Sequence, residues 1–197
     1  MLPPATDYEY DVFFSYKRHK LTLDWTREVH NRLKYFIMQT GLVDHEVKTF
    51  IDEEGIETGD RWPNRLKDAL QSSRCMVCLW SPAYFQSNWC VSEWQSFRKR
   101  ERRLKMKSHG LIAPLTIHDG DYFPREAKDV QWTDAALYTS TMPAFWISLR
   151  ALDFEDLLKR FAAQVAGMVN HAPQFEADWP IAEVEDLTDA KIGLAEL

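Results

Sequence analysis

Residues 75–80 read CMVCLW, an unbroken apolar run that stops at Ser81-Pro82. A run of this length before a turn signal predicts a strand that is buried on both faces, as in parallel sheets. Further runs of similar character occur at residues 8–16 (YEYDVFFSY), 47–51 (VKTFI) and 111–117 (LIAPLTI), with a short one at 130–133. The sequence therefore predicts five buried strands.

Segments with helical spacing separate these strands. Apolar residues recur every three or four positions in residues 23–40, 62–73 and 89–107, and again from 154 to about 170. This is the period of an amphipathic helix. Strands that alternate with helices predict an α/β domain with helices on both faces of a parallel sheet. Five such strands favour the flavodoxin-like order 2-1-3-4-5, in which ligands bind at the carboxyl ends of the strands.

Charge is distributed unevenly between this domain and the end of the chain. The predicted domain covers residues 7–171, and residues 172–197 carry the whole net charge of −6. Pro173 and Pro180 interrupt this last segment, which we expect to be a solvated acidic tail or linker. The alternative is that its apolar residues Phe175, Trp179 and Ile181 dock on the domain or on a partner. The neutral remainder argues against non-specific nucleic-acid binding.

Composition and spacing exclude several other classes of protein. No run of 18 apolar residues is present, and the first ten residues lack a signal-peptide core. The 3 cysteines are too few for a disulfide framework, so we expect a protein of the reducing cytoplasm. The 6 histidines show no metal-ligand spacing, and no glycine-rich phosphate loop follows the first strand. We therefore expect no metal and no bound cofactor.

Polar residues stand at the ends of three predicted strands. Ser15, Tyr16 and Lys17 end the first strand, Asp52 follows the second, and Ser81 follows the third. Because the carboxyl ends of parallel strands meet at one edge, these side chains should converge there. The loop at residues 52–61 begins at the same edge and is longer than most α/β connections, which is common for functional loops.

Trp89 and Glu93 lie one turn apart near the start of the helix that follows the third strand. Both should face the same crevice. Spacing alone favours a core tryptophan beside a solvated glutamate that the helix dipole stabilises. The basic residues at 98–107 of this helix are then a solvated face.

Three segments in order resemble a TIR (Toll/interleukin receptor) domain of the prokaryotic type. They are YDVFFSYKR at 10–18, FIDEEGIETGDRW at 50–62 and SPAYFQSNWCVSEW at 81–94, and the resemblance covers about residues 8–170. Many TIR domains cleave NAD+ between nicotinamide and ribose, using one glutamate that matches Glu93. The resemblance therefore implies that NAD+ is a substrate and that the product is ADP-ribose or a cyclic isomer of it.

The resemblance also implies roles for the other residues of the crevice. It makes Trp89 a stacking residue, and it places Tyr16, Lys17 and Arg18 beside nicotinamide and phosphate. Asp52 would lie at the mouth of the pocket, and Ser81 would bond a ribose. From residue type alone, the same positions fit surface charge, a turn residue and a helix cap.

The resemblance to TIR domains implies two kinds of partner, and it leaves one alternative function and one alternative architecture open. The domain resembles the TIR component of Thoeris-type antiphage systems, which implies an activator or effector protein in trans and an immune signal as product. The long loop implies self-association through TIR–TIR contacts. A non-catalytic TIR scaffold that assembles through this loop is the alternative function. A segment of a longer protein is the alternative architecture.

Overall fold

β3, at Ser73–Trp80, is the central strand of the sheet. The computed structural model describes residues 7–52, 64–106 and 110–183. Within these residues the sheet has five strands, the others being β1 (Tyr10–Tyr16), β2 (Thr49–Ile51), β4 (Ile112–Thr116) and β5 (Thr133–Asp134). Their order is β2-β1-β3-β4-β5 and each neighbouring pair is parallel, which confirms the predicted fold class and strand order.

Helices connect the strands and cover both faces of the sheet. They are α1 (Leu23–Gln39), α2 (Asn64–Gln71), α3 (Pro82–Phe85), α4 (Asn88–Leu104), α5 (Arg125–Lys128) and α6 (Leu149–Asn170). The four longer helices were predicted, whereas α3 and α5 are single turns too short to show a period. Gly41 follows α1 with a φ of 67°, a conformation that glycine adopts without strain. Among the described residues, none of the helices has the length and apolarity to cross a bilayer.

Successive residues of β3 contribute to two separate cores. Cys75 and Val77 pack with residues of α1 and α6 on one face. Met76 and Cys78 pack with residues of α2 and α4 on the other face. Cys75 and Cys78 are free, fully buried thiols on opposite sides of the sheet, because residues three apart in a strand point to opposite faces, so they cannot share a metal ion.

Arg100 corrects the prediction of a solvated basic face on α4. Its side chain is fully buried and donates to the carbonyl oxygens of Ser73 at 2.7 Å and Leu70 at 3.0 Å. The guanidinium lies 4.4 Å from the ring centre of Phe97 and 4.8 Å from that of Trp179. Burial lowers the pKa of Arg100 to about 10, which still leaves it charged at neutral pH. This arginine therefore links α4 to β3 and α2 by hydrogen bonds, and it contacts the chain beyond α6 through the Trp179 ring.

Residues 174–183, here called the C-terminal strap, pack against the domain, so the prediction of a solvated tail was wrong for them. Trp179 is 1% exposed, and its carbonyl oxygen accepts from Gln71 Nε2 at 3.1 Å. Further along the strap, the amide of Ala182 donates to Ser96 Oγ at 2.9 Å, and its carbonyl accepts from the hydroxyl of Ser92. Ser92 and Ser96 belong to α4, so the strap lies along the helix that carries Glu93. Residues 184–197 lie outside the described part of the chain.

Candidate active site

The carboxyl end of β1 and the second turn of α4 meet at Ser15 and Glu93. Ser15 Oγ lies 2.5 Å from Glu93 Oε2 and 2.8 Å from the hydroxyl oxygen of Tyr84. Ser15 is 1% exposed, Tyr84 is fully buried, and Glu93 is 8% exposed. The three side chains therefore form one buried hydrogen-bonded group at the edge of the sheet where the crevice was predicted.

Glu93 is not the solvated glutamate that its helical spacing alone favoured. Burial raises the pKa of Glu93 from 4.5 to about 8. The hydrogen bond from Ser15 opposes this increase, and the negative charge of Asp52 adds to it. A carboxyl group whose pKa is strongly shifted by burial, at an edge where ligands bind, is a common feature of catalytic sites.

Tyr16 and Asp52 link the ends of two neighbouring strands. The Tyr16 hydroxyl donates to the carbonyl oxygen of Asp52 at 3.1 Å, and both residues are half-buried. The predicted loop begins at Asp52, and its remaining residues, 53–61, lie outside the described part of the chain. The structure thus brings Tyr16 and Asp52 to the same edge as Glu93, as predicted.

Lys17 and Arg18 extend this edge into solvent. Both side chains are exposed. The positive charge of Lys17 reaches Cys90 on α4, where it slightly opposes the burial that raises the pKa of that thiol to about 12. Lys17 is therefore close to the first turn of α4, although its contact with a substrate stays a prediction.

Ser81 has a structural role that the sequence offered as an alternative. Its Oγ accepts the backbone amide of Tyr84 at 3.2 Å and so caps α3. This cap fixes the turn that carries Tyr84 into the site. A bond from Ser81 to a ribose stays a prediction.

Trp89 precedes Glu93 by one turn of α4. It is half-buried and packs against the core on the α2 and α4 side of the sheet. Stacking of Trp89 on a substrate stays a prediction.

Sequence reasoning missed Tyr84. Its side chain lies inside the matched segment SPAYFQSNWCVSEW, three residues after the helix cap. A tyrosine at 0% exposure needs a partner for its hydroxyl. The burial follows from the tertiary fold, so the sequence carried only the position of Tyr84 in this segment as a signal.

A profile of the TIR domain family matches residues 12–142. This chain belongs to the TIR domain family. The match includes Ser15, Asp52, Tyr84 and Glu93. No group of three histidine, cysteine, aspartate or glutamate side chains suited to a metal ion occurs in the described part of this TIR domain.

Two curated relatives are similar to the TIR domain at low identity. TMV resistance protein N of Nicotiana glutinosa is 26% identical over 101 residues, which is 51% of this chain and 8% of the relative. The protein named probable 2' cyclic ADP-D-ribose synthase BdTIR, of Brachypodium distachyon, is 25% identical over 123 residues, or 59% of this chain and 51% of the relative. The chain therefore spans about half the length of one relative and less than a tenth of the other.

Solved TIR domains show a distant structural likeness. The TIR domain of the Toll-related receptor TRR-2 of Hydra magnipapillata is 22% identical, covers 75% of this chain and 98% of its own, and superposes with a TM-score of 0.43. The TIR domains of the activated Roq1 resistosome are 20% identical, cover 83% of this chain and 86% of theirs, and give a TM-score of 0.41.

Proposed function

We propose that this TIR domain cleaves NAD+ at the bond between nicotinamide and ribose, with Glu93 as the catalytic carboxylate. The observation that carries the proposal is the Glu93 carboxyl group, buried at the ligand-binding edge of a parallel sheet and held by Ser15. A relative named as a cyclic ADP-ribose synthase, similar to this chain over 123 residues, supports the same chemistry.

The reaction needs one carboxylate and no acid. The bond from ribose C1′ to the nicotinamide nitrogen breaks, and its electron pair leaves with nicotinamide, which becomes neutral. Positive charge then develops on C1′ and the ring oxygen. An ionised Glu93 beside the ribose stabilises this oxocarbenium-like state and can accept hydrogen bonds from the ribose hydroxyls.

The group that attacks C1′ decides the product. Water adds to C1′, loses a proton and gives ADP-ribose. A hydroxyl or a ring nitrogen of the same molecule closes a cyclic isomer instead. We place Trp89 under the substrate, where stacking favours a folded pose that brings such an internal nucleophile close to C1′.

The remaining edge residues bind rather than react in this proposal. Lys17 and Arg18 are exposed cations that suit the pyrophosphate. Tyr16 and Asp52 form one wall of the pocket, and Ser81 bonds a ribose while it caps α3. NAD+ is here the substrate, and no further cofactor enters the reaction.

Timed release of nicotinamide tests the proposal. Purified protein is incubated with NAD+ at high concentration and with a crowding agent, and the products are separated by chromatography. Glu93→Gln should slow release at least about a hundredfold, the effect of losing one preorganised charge-stabilising group. Glu101→Gln is the matched control, because Glu101 lies on the same helix with its carboxyl group bonded to the amide of Leu111 at 2.6 Å.

The outcomes separate the enzyme from its alternative. A Glu93→Gln rate equal to that of the wild type would remove Glu93 from the mechanism. No release by the wild-type protein at any concentration would favour a non-catalytic TIR scaffold that works by assembly.

We further propose that the product is an immune signal, that the active form is a TIR–TIR assembly, and that a second protein in trans triggers or receives it. One relative is named as a resistance protein, which supports the immune setting. Phage challenge of cells that carry the gene and its genomic neighbours, with wild-type or Glu93→Gln protein, tests the antiphage role. Equal plaque counts for the two proteins would contradict it.

A further inference from the structure

Tyr84, Ser15 and Glu93 form a chain of hydrogen bonds that the cleavage step itself does not use. The bonds run from α3 through β1 to α4, at 2.8 Å and 2.5 Å. Residues 69 and 78 positions apart in the sequence meet in this chain. Each of the three residues lies on a different element, so this chain of hydrogen bonds forms only in the tertiary fold.

The direction of the donors follows from the number of protons. A serine hydroxyl has one hydrogen, and an ionised carboxylate can only accept. When Glu93 is ionised, Ser15 donates its one hydrogen to the carboxylate, so the Tyr84 hydroxyl must donate to Ser15. Full burial raises the pKa of Tyr84 well above 10, so this phenol keeps its proton and remains a donor at every pH of interest.

We propose that Ser15 and Tyr84 are positioning residues that orient the Glu93 carboxyl group and favour its ionised form. The consequence for catalysis rests on the proposed function, whereas the consequence for the protonation of Glu93 does not. Ser15 occupies Oε2, so we assign the contact with a ribose to Oε1. Tyr84 removes the rotational freedom of the Ser15 hydroxyl and so preorganises that donor.

The other groups around Glu93 act against ionisation or stay neutral. Among the described groups that act on Glu93, burial and the Asp52 charge raise its pKa, and the Ser15 hydrogen bond lowers it. Cys78 on β3 and Cys90 on α4 remain neutral thiols, because burial raises the pKa of each. The nearby cation, Lys17, is exposed at the end of β1 and its charge acts on Cys90.

The two substitutions should therefore differ in strength. Ser15→Ala removes the hydrogen bond to the carboxylate, so the pKa of Glu93 should rise. Tyr84→Phe keeps that bond but frees the Ser15 hydroxyl to rotate, so the increase should be smaller. Ser15→Thr retains a hydroxyl at the same position and should restore most of the wild-type behaviour.

Carbon-13 NMR titration measures this directly and needs no activity. Protein labelled at the glutamate carboxyl carbons is titrated, and Glu93→Gln identifies the Glu93 signal. We expect the Glu93 midpoint to rise by about one pH unit in Ser15→Ala, which is a tenfold change in proton affinity. Ser73→Ala is the matched control, because its buried hydroxyl bonds to the Ala69 carbonyl at the opposite end of β3.

The pH dependence of kcat/KM for NAD+ is the second readout. Since the proposed mechanism needs an ionised Glu93, the acid limb should move to higher pH, further in Ser15→Ala than in Tyr84→Phe, while Ser73→Ala follows the wild type.

An unchanged Glu93 midpoint in both Ser15→Ala and Tyr84→Phe would overturn the inference. A shifted midpoint in a protein that never cleaves NAD+ would contradict the proposed function and leave the inference standing. If Ser15→Ala does not fold, the Glu93 midpoints of Tyr84→Phe and Ser15→Thr are compared instead. A higher midpoint in Tyr84→Phe than in Ser15→Thr supports the inference, and equal midpoints contradict it.

Discussion

Ser15 Oγ lies 2.5 Å from Glu93 Oε2, although 78 positions separate the two residues in the sequence. The parallel pairing of β1 with β3 explains this contact, because it sets Ser15 beside Cys78 near the end of β3. The chain then turns through α3 into α4, which returns Glu93 to the same edge. A carboxyl group is thereby buried where a parallel sheet binds ligands.

Glu93 should make the stability of the protein depend on pH. Its pKa in the folded protein is about 8, against 4.5 for an ordinary glutamate. Between pH 4.5 and 8, the Glu93 carboxyl group is protonated in the folded protein but ionised in the unfolded chain. The free energy of unfolding should therefore fall as the pH rises from about 4.5 to 8. Glu93→Gln removes this pH-dependent contribution to stability, and the amide oxygen of the glutamine can still accept a hydrogen bond from Ser15.

Urea denaturation at pH 5 and at pH 9 checks the prediction for the two proteins. Glu93→Gln should gain stability relative to the wild type at the higher pH. A stability difference that is the same at both pH values would show that Glu93 ionises as freely in the folded chain as in the unfolded one.

Trp89→Ala should change the ratio of cyclic to linear product more than it changes total NAD+ consumption. Trp89 lies one turn before Glu93 and is half-buried, so part of its ring can support a folded substrate. Trp146→Ala is the matched control, because Trp146 is also half-buried but packs on the core at the opposite face of the sheet. Chromatography of the products gives the ratio. If both products fall in proportion in Trp89→Ala, the residue has only a packing role.

Trp179→Ala should destabilise the domain by about 3–5 kcal/mol, the usual cost of removing a buried aromatic side chain. Trp179 is 1% exposed and covers the guanidinium of Arg100. Asp178→Asn, next to it, removes an exposed ion pair with Arg103 and should leave the stability nearly unchanged. Urea unfolding of both variants measures the two effects. Equal stability of the Trp179 variant and the wild type would mean that the strap is dispensable.

The proposed NAD+ cleavage should show a rate per molecule of protein that rises with protein concentration. Glu93 is 8% exposed in a single copy, and several large apolar side chains stand in solvent, among them Met142 at 65%, Ile147 at 90% and Leu149 at 83%. Exposed apolar surface of this kind is common at protein contacts. A dilution series of nicotinamide release, run beside light scattering, tests the link between assembly and activity. Constant specific activity over a wide range of concentration would contradict it.

The strand order and the edge of the sheet where the candidate residues meet could be predicted from the sequence. A strand inside a parallel sheet is covered on both faces, so its sequence must be apolar throughout, and CMVCLW at residues 75–80 satisfies this locally. Alternation with helical periods then left few possible topologies. Because parallel strands end at one edge, the sequence alone predicts that Ser15, Asp52 and the helix carrying Glu93 lie at that edge.

The tertiary structure alone decided what surrounds each charged residue. Helical spacing predicted that Glu93 and Arg100 are solvated, and composition predicted that residues 172–183 belong to a solvated tail. In the fold, Ser15 and Tyr84 enclose Glu93, and Trp179 closes over Arg100. The cost of burying a charge depends on the groups that replace water around it, and those groups come from distant parts of the chain. A local pattern cannot report them, which is why the protonation of Glu93 emerged only from the folded structure.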